Sequence, residues 1–79
     1  MRPGVQAFAE AMEAKLAKNE GKGGWALENG CSLDFLFRRL RQELKEYSES
    51  DNPEELVDIA NFCMMLWTRQ TLKDPKYFK

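Results

Sequence analysis

The chain has 79 residues, with 12 Lys and Arg against 13 Asp and Glu, a net charge of −1, two cysteines and no histidine. That length makes one small domain of marginal stability, in need of a metal, a partner or another staple. The lack of histidine excludes His-based acid–base catalysis, Ser-His triads and His-ligated zinc or iron. The near-neutral charge argues against a sequence-independent nucleic-acid binder, which carries a basic face.

The first predicted helix spans Val5 to about Asn19, after Pro3 and Gly4. Val5, Phe8, Ala9, Met12 and Leu16 step by three and four and make one apolar stripe, with Glu10, Glu13, Lys15 and Lys18 elsewhere. Met1 to Asn19 alternates apolar and charged residues, without the apolar block of a signal peptide. No run reaches the roughly 18 apolar residues of a membrane span. The expected setting is the cytoplasm, with reduced thiols and no membrane partner.

Asn19 to Gly30 reads as a loop, since Gly21, Gly23, Gly24 and Gly30 interrupt any regular helix. It contains Lys22-Gly-Gly-Trp25. Lysine is a point charge for phosphate, and a Trp face can stack on a base. The alternative is a Trp25 that caps one end of the core above a solvated Lys22.

The second predicted helix runs from Leu33 to about Ser48, with Ser32 as N-cap and Asp34 in its first turn. Leu33, Leu36, Phe37, Leu40, Leu44 and Tyr47 form its expected buried stripe. Glu43 lies at the stripe's edge and Glu46 one turn on. Arg38, Arg39, Arg41 and Lys45 surround these acids, as intrahelical partners or as ligands for a polyphosphate.

Glu49 to Pro53 is the expected turn, with Asn52 capping a third helix from Pro53 to about Leu72. Asn52-Pro-Glu-Glu55 fits a capping box, which would occupy Glu55. It gives no role to Asp58, one turn further in. Leu56, Ile59, Ala60, Cys63 and Trp67 line one face of this helix, and Glu55, Asp58, Phe62 and Met65 another. Phe62 to Trp67 is apolar nearly all round, which predicts a subunit interface, most simply an isologous dimer. Cys63 reads as a small core residue. Residues 1–4 and 73–79 are expected short tails of a single domain over 1–79.

Two acidic pairs therefore flank one turn: Glu43 with Glu46, and Glu55 with Asp58. Residues three apart share a helix face. Folded antiparallel, the two helices set the pairs opposite each other, and four such anions call for a hard dication with oxygen ligands. The expected site is a Mg²⁺-type centre that handles phosphates.

The order K-G-G-W, then L-x-x-L-x-x-E-L-x-E, then E-E-L-x-D-I-A-N-F-C-M-M resembles the MazG-like nucleotide pyrophosphohydrolases, and especially the small single-domain forms of phages and prophages. These belong to the all-α NTP pyrophosphatase superfamily, with the dimeric dUTPases and dCTPases. The resemblance runs from about Lys22 to Trp67. It implies an all-α protomer of three main helices, assembled as a helix-bundle dimer or tetramer. It also implies Mg²⁺-dependent (Mn²⁺ as substitute) cleavage of a nucleoside triphosphate to monophosphate and pyrophosphate. Glu43, Glu46, Glu55 and Asp58 match the metal-binding pattern. Lys22, Trp25 and Asn61 match positions near the nucleotide, with Arg38 and Arg39 as further charge-neutralising candidates. The chain departs from the pattern at Gln42, where the first signature places another glutamate, and in the short interval between the acidic pairs. Two rival readings remain: a non-catalytic helical interaction module, and a nucleotide-binding protein of the same fold without turnover.

Overall fold

The computed structural model describes residues 1–79, the side chain of Lys22 excepted. It contains three α-helices: α1 (Pro3–Lys18), α2 (Leu33–Ser50) and α3 (Pro53–Thr71). Single 3₁₀ turns occur at Glu20–Lys22, Leu27–Asn29 and Pro75–Tyr77, and there is no strand among the described residues. No helix is long and apolar enough to cross a membrane.

α1 starts two residues before Val5, because Pro3 occupies the first helical position, where its fixed φ suits the helix. α2 is capped as its sequence predicts: the Phe35 N–H donates to Ser32 Oγ at 3.0 Å. It runs on to Ser50 and ends at Asp51, which takes a left-handed conformation (φ 54°) and donates its N–H to Tyr47 O at 2.8 Å. Aspartate tolerates that conformation better than most residues. Asn52 follows at once and caps α3, accepting the Glu54 N–H at 3.0 Å, with Pro53 next. The expected turn from residue 49 to 53 is thus only Asp51 and Asn52. It closes a tight αα-hairpin in which α2 packs along α3, while α1 rests more lightly on α3.

The buried apolar residues are Trp25, Ala26, Leu36 and Val57, with Leu36 almost fully enclosed. Beyond this small core, the expected stripes are largely open. Val5, Phe8, Leu33, Phe37 and Leu44 are exposed, and α1 buries no residue at all. The third helix is rotated from its expected setting. Its inward side carries Val57, Asn61 and Thr68, whereas Leu56, Cys63 and Trp67 face outward, Trp67 being 61% exposed. The rotation has a simple cause. α3 packs on both α2 and α1, and the tie to α1 is made by Asn61, whose Nδ2 donates to Met12 O at 3.3 Å. Cys63 is therefore an exposed free thiol, and Cys31 is a second free thiol.

The C-terminal segment is docked rather than loose. The Trp25 N–H donates to Phe78 O at 2.8 Å, and the two rings lie 5.5 Å apart at 52°. The Arg69 guanidinium sits 5.5 Å over Phe78 and donates to the carbonyls of Trp25 and Cys31. Gly24 is required by this arrangement, since a Cβ there would collide with the Phe78 carbonyl.

Candidate functional site

The hairpin brings three carboxylates together. Glu43 on α2 and Glu55 and Asp58 on α3 each offer an oxygen, and the three oxygens lie within 4.8 Å of one another. Opposite oxygens around a hard dication stand roughly 4 Å apart for Mg²⁺ and about 5 Å for Ca²⁺. The donor set, all carboxylate oxygen, therefore fits such an ion after a small closure.

Glu43 is the centre of the group. It is only 6% exposed, and its Oε1 accepts one bond from Arg39 Nη2 at 3.2 Å. Its Oε2 is buried with no donor to accept from among the described residues, and the carboxylates of Glu46 and Glu55 lie within hydrogen-bond reach of Glu43 only if a proton is shared between them. Burial, then the neighbouring Glu46, then Glu55 and Asp58, push its pKa from 4.5 up to about 7. A buried acceptor with nothing to accept is costly, and a bound proton or cation removes that cost.

Glu46 stands beside Glu43 but brings no oxygen into the group of three. It accepts instead from Gln42 Nε2 at 3.4 Å, and Gln42 Oε1 in turn accepts from Arg39 Nη1 at 2.6 Å. Gln42 thus bridges the site's arginine to its outermost acid.

The capping box expected at Glu55 does not form. The Asn52 N–H that Glu55 would have received donates to Ser50 Oγ at 3.2 Å, which leaves Glu55 free to turn toward Glu43. Asp58 is held from outside the hairpin: Lys15 on α1 places its Nζ 3.3 Å from Asp58 Oδ1. Lys15 was not legible as a site residue, because only tertiary packing sets it opposite Asp58.

The other predicted residues divide. Arg39 belongs to the site, and its guanidinium also lies 5.4 Å over the Phe62 ring. Arg38 does not: it points away, pairs with Asp34 at 3.2 Å in solvent, and borders a shallow depression with Arg41, Gln42 and Lys45. Trp25 is buried under Phe78 and offers no open face for stacking; of the two expectations for it, the core cap describes what is seen. Asn61 is likewise buried, donating from Nδ2 to Met12 O at 3.3 Å, with its Oδ1 unpartnered among the described residues. The Lys22 side chain lies outside the described residues. A cleft of about 910 Å³ runs beside the hairpin, walled by Leu16, Trp25, Phe35, Met65 and Phe78. Phe62 joins the two regions, lining the cleft while carrying Arg39 on its ring.

Fold and site together define a small all-helical protein with a carboxylate centre across an αα-hairpin. The chain is 32% identical to an uncharacterized protein of Archaeoglobus fulgidus in an alignment of 82 positions, gaps included, that covers 89% of this chain and 85% of that one. It belongs to the same family as that archaeal protein. No family model matches the sequence, and no solved structure matches it.

Proposed function

We propose that the protein is a dication-dependent nucleoside triphosphate pyrophosphohydrolase, converting (d)NTP and water to (d)NMP and pyrophosphate. The observation that carries this reading is Glu43: a buried carboxylate with an unpartnered oxygen, converging with Glu55 and Asp58. The resemblance of the two acidic pairs to MazG-like enzymes supplies the substrate class. Glu43, Glu55 and Asp58 would hold Mg²⁺ or Mn²⁺. Such an ion, when bound, neutralises phosphate oxygens and acidifies water. Glu46, beside the group but outside it, is the acceptor for the proton of the attacking water, since the chain has no histidine. Arg39 is placed to balance negative charge on a bound triphosphate. The cleft that Phe35, Phe62 and Met65 line is the space for the nucleoside, bounded by their apolar side chains.

The working form in this proposal is a cytoplasmic homodimer or homotetramer. The exposed line of Leu56, Cys63 and Trp67 on α3 supports assembly, because so small a core leaves much apolar surface to cover. That same surface favours the second reading, a non-catalytic helical interaction module. Gln42 favours a third, a protein of this fold that binds nucleotide without cleaving it.

The test is pyrophosphate release from a panel of NTPs and dNTPs with Mg²⁺, for wild type and for the Glu43→Gln and Asp58→Asn variants. Turnover by wild type that disappears in both folded variants supports the proposal. Undiminished turnover in them defeats it. Nucleotide binding without pyrophosphate release selects the binding protein, and neither selects the interaction module.

A further inference from the structure

α1 reaches the carboxylate centre through Lys15. Its ammonium lies 3.3 Å from Asp58 Oδ1 and 4.0 Å from Glu54 Oε2. One helical turn earlier, Met12 O accepts from Asn61 Nδ2 at 3.3 Å. These two ties meet α3 at Asp58 and Asn61, again one turn apart. Apart from them α1 is weakly anchored, since none of its residues is buried and its Val5 and Phe8 side chains are exposed.

We propose that Lys15 is the resident cation of the site: it holds Asp58 while no dication is bound and is expelled when one binds, so that occupancy loosens α1 from α3. The inference rests on the carboxylate group being a cation site, which the burial of Glu43 Oε2 without any donor supports beside the convergence of the three carboxylates. An ion ligated by Asp58 sits about 2 to 2.6 Å from the carboxylate oxygen. The ammonium, at its present position, would then stand within about 6 Å of a doubly charged ion in a partly dehydrated setting, where like charges repel strongly. Lysine yields readily, because its charge rides on a flexible four-carbon stem. Arg39, the site's other cation, is fixed by Gln42, Glu43 and the Phe62 ring together, so the ammonium is the group that leaves.

The experiment is a Mn²⁺ titration at pH 8, following the paramagnetic signal of free Mn²⁺, on wild type and on the Lys15→Met, Lys15→Arg and Lys18→Met variants, each first shown to be folded by its melting curve. Lys15→Met keeps the stem and removes the competitor. It is expected to bind Mn²⁺ about threefold tighter or more. Lys15→Arg keeps the charge, and Lys18→Met removes an equal charge from an exposed position on the same helix; both are expected to stay within about twofold of wild type. Binding gained only in Lys15→Met also supports the proposal. Equal or weaker binding in Lys15→Met overturns it while leaving the cation site in place. No binding in wild type or Lys15→Met overturns both. Hydrogen exchange supplies the second readout: saturating Mg²⁺ is expected to speed exchange of the last-turn amides of α1 in wild type and not in Lys15→Met. Unchanged or increased protection of α1 in metal-bound wild type overturns the displacement.

Discussion

Replacing Glu43 by glutamine separates what this residue does for the fold from what it does for the site. Burial and three neighbouring acids raise its pKa from 4.5 to about 7. The folded-state value lies above the unfolded one, so the associated stability is complete below about pH 4.5 and is lost as the pH rises through about 7. At 1.36 kcal/mol per pH unit, ionised Glu43 at pH 8 costs the fold about 3 kcal/mol. Glutamine is near-isosteric and never ionises, but it gives up the charge-assisted bond from Arg39 at 3.2 Å. The net expectation, with a chelator present, is a Glu43→Gln protein about 2 kcal/mol more stable than wild type at pH 8. For a domain of this size that is a rise in Tm of roughly 10 °C. The gain should shrink below about 1 kcal/mol at pH 5, where native Glu43 already carries its proton. The assay is thermal melting across pH 5 to 8 at one fixed protein concentration, because assembly shifts Tm. Adding millimolar Mg²⁺ should then raise the melting temperature of wild type and leave the variant unmoved. A variant no more stable than wild type at pH 8 would refute the view of Glu43 as a buried carboxylate held at a cost by its acidic neighbours.

Three further outcomes are expected. Mg²⁺ binding near pH 6 should release about one proton per site, and affinity should fall roughly tenfold per pH unit below about 7; calorimetry in buffers of different ionisation enthalpy measures both. Gly24→Ala should cost about 1–3 kcal/mol, read as a lower Tm, because the new methyl must push Phe78 away and break its bond to the Trp25 N–H. If the protein assembles through α3 as proposed, Trp67→Glu should be monomeric by light scattering where wild type is not, while changing protomer stability by less than about 0.5 kcal/mol, since Trp67 touches solvent in the protomer.

Much of the architecture is written locally. The caps at Ser32 and Asn52, and Pro53 at the start of α3, set the helix boundaries through bonds between residues two or three apart. The acidic pairs are legible for the same reason, because spacing within one helix fixes which side chains share a face. What lies beyond reach is everything decided between elements. Periodicity shows that α3 has an apolar side but not how the helix is turned, and contact with both α1 and α2 puts Asn61 inward and Cys63 outward. Glu55 has two local solutions, a capping box or the carboxylate group. The two-residue hairpin decides between them by giving the Asn52 N–H to Ser50. Lys15 and Phe78 carry no local signal at all. Each acquires its role from a partner more than forty residues away, at Asp58 and Trp25.

The most direct measurement is anomalous diffraction from a crystal soaked in Mn²⁺. A peak is expected, bounded by oxygens of Glu43, Glu55 and Asp58, with the Lys15 ammonium withdrawn from Asp58. Data showing those three carboxylates without a manganese peak between them, from a crystal saturated with the ion, would contradict that expectation.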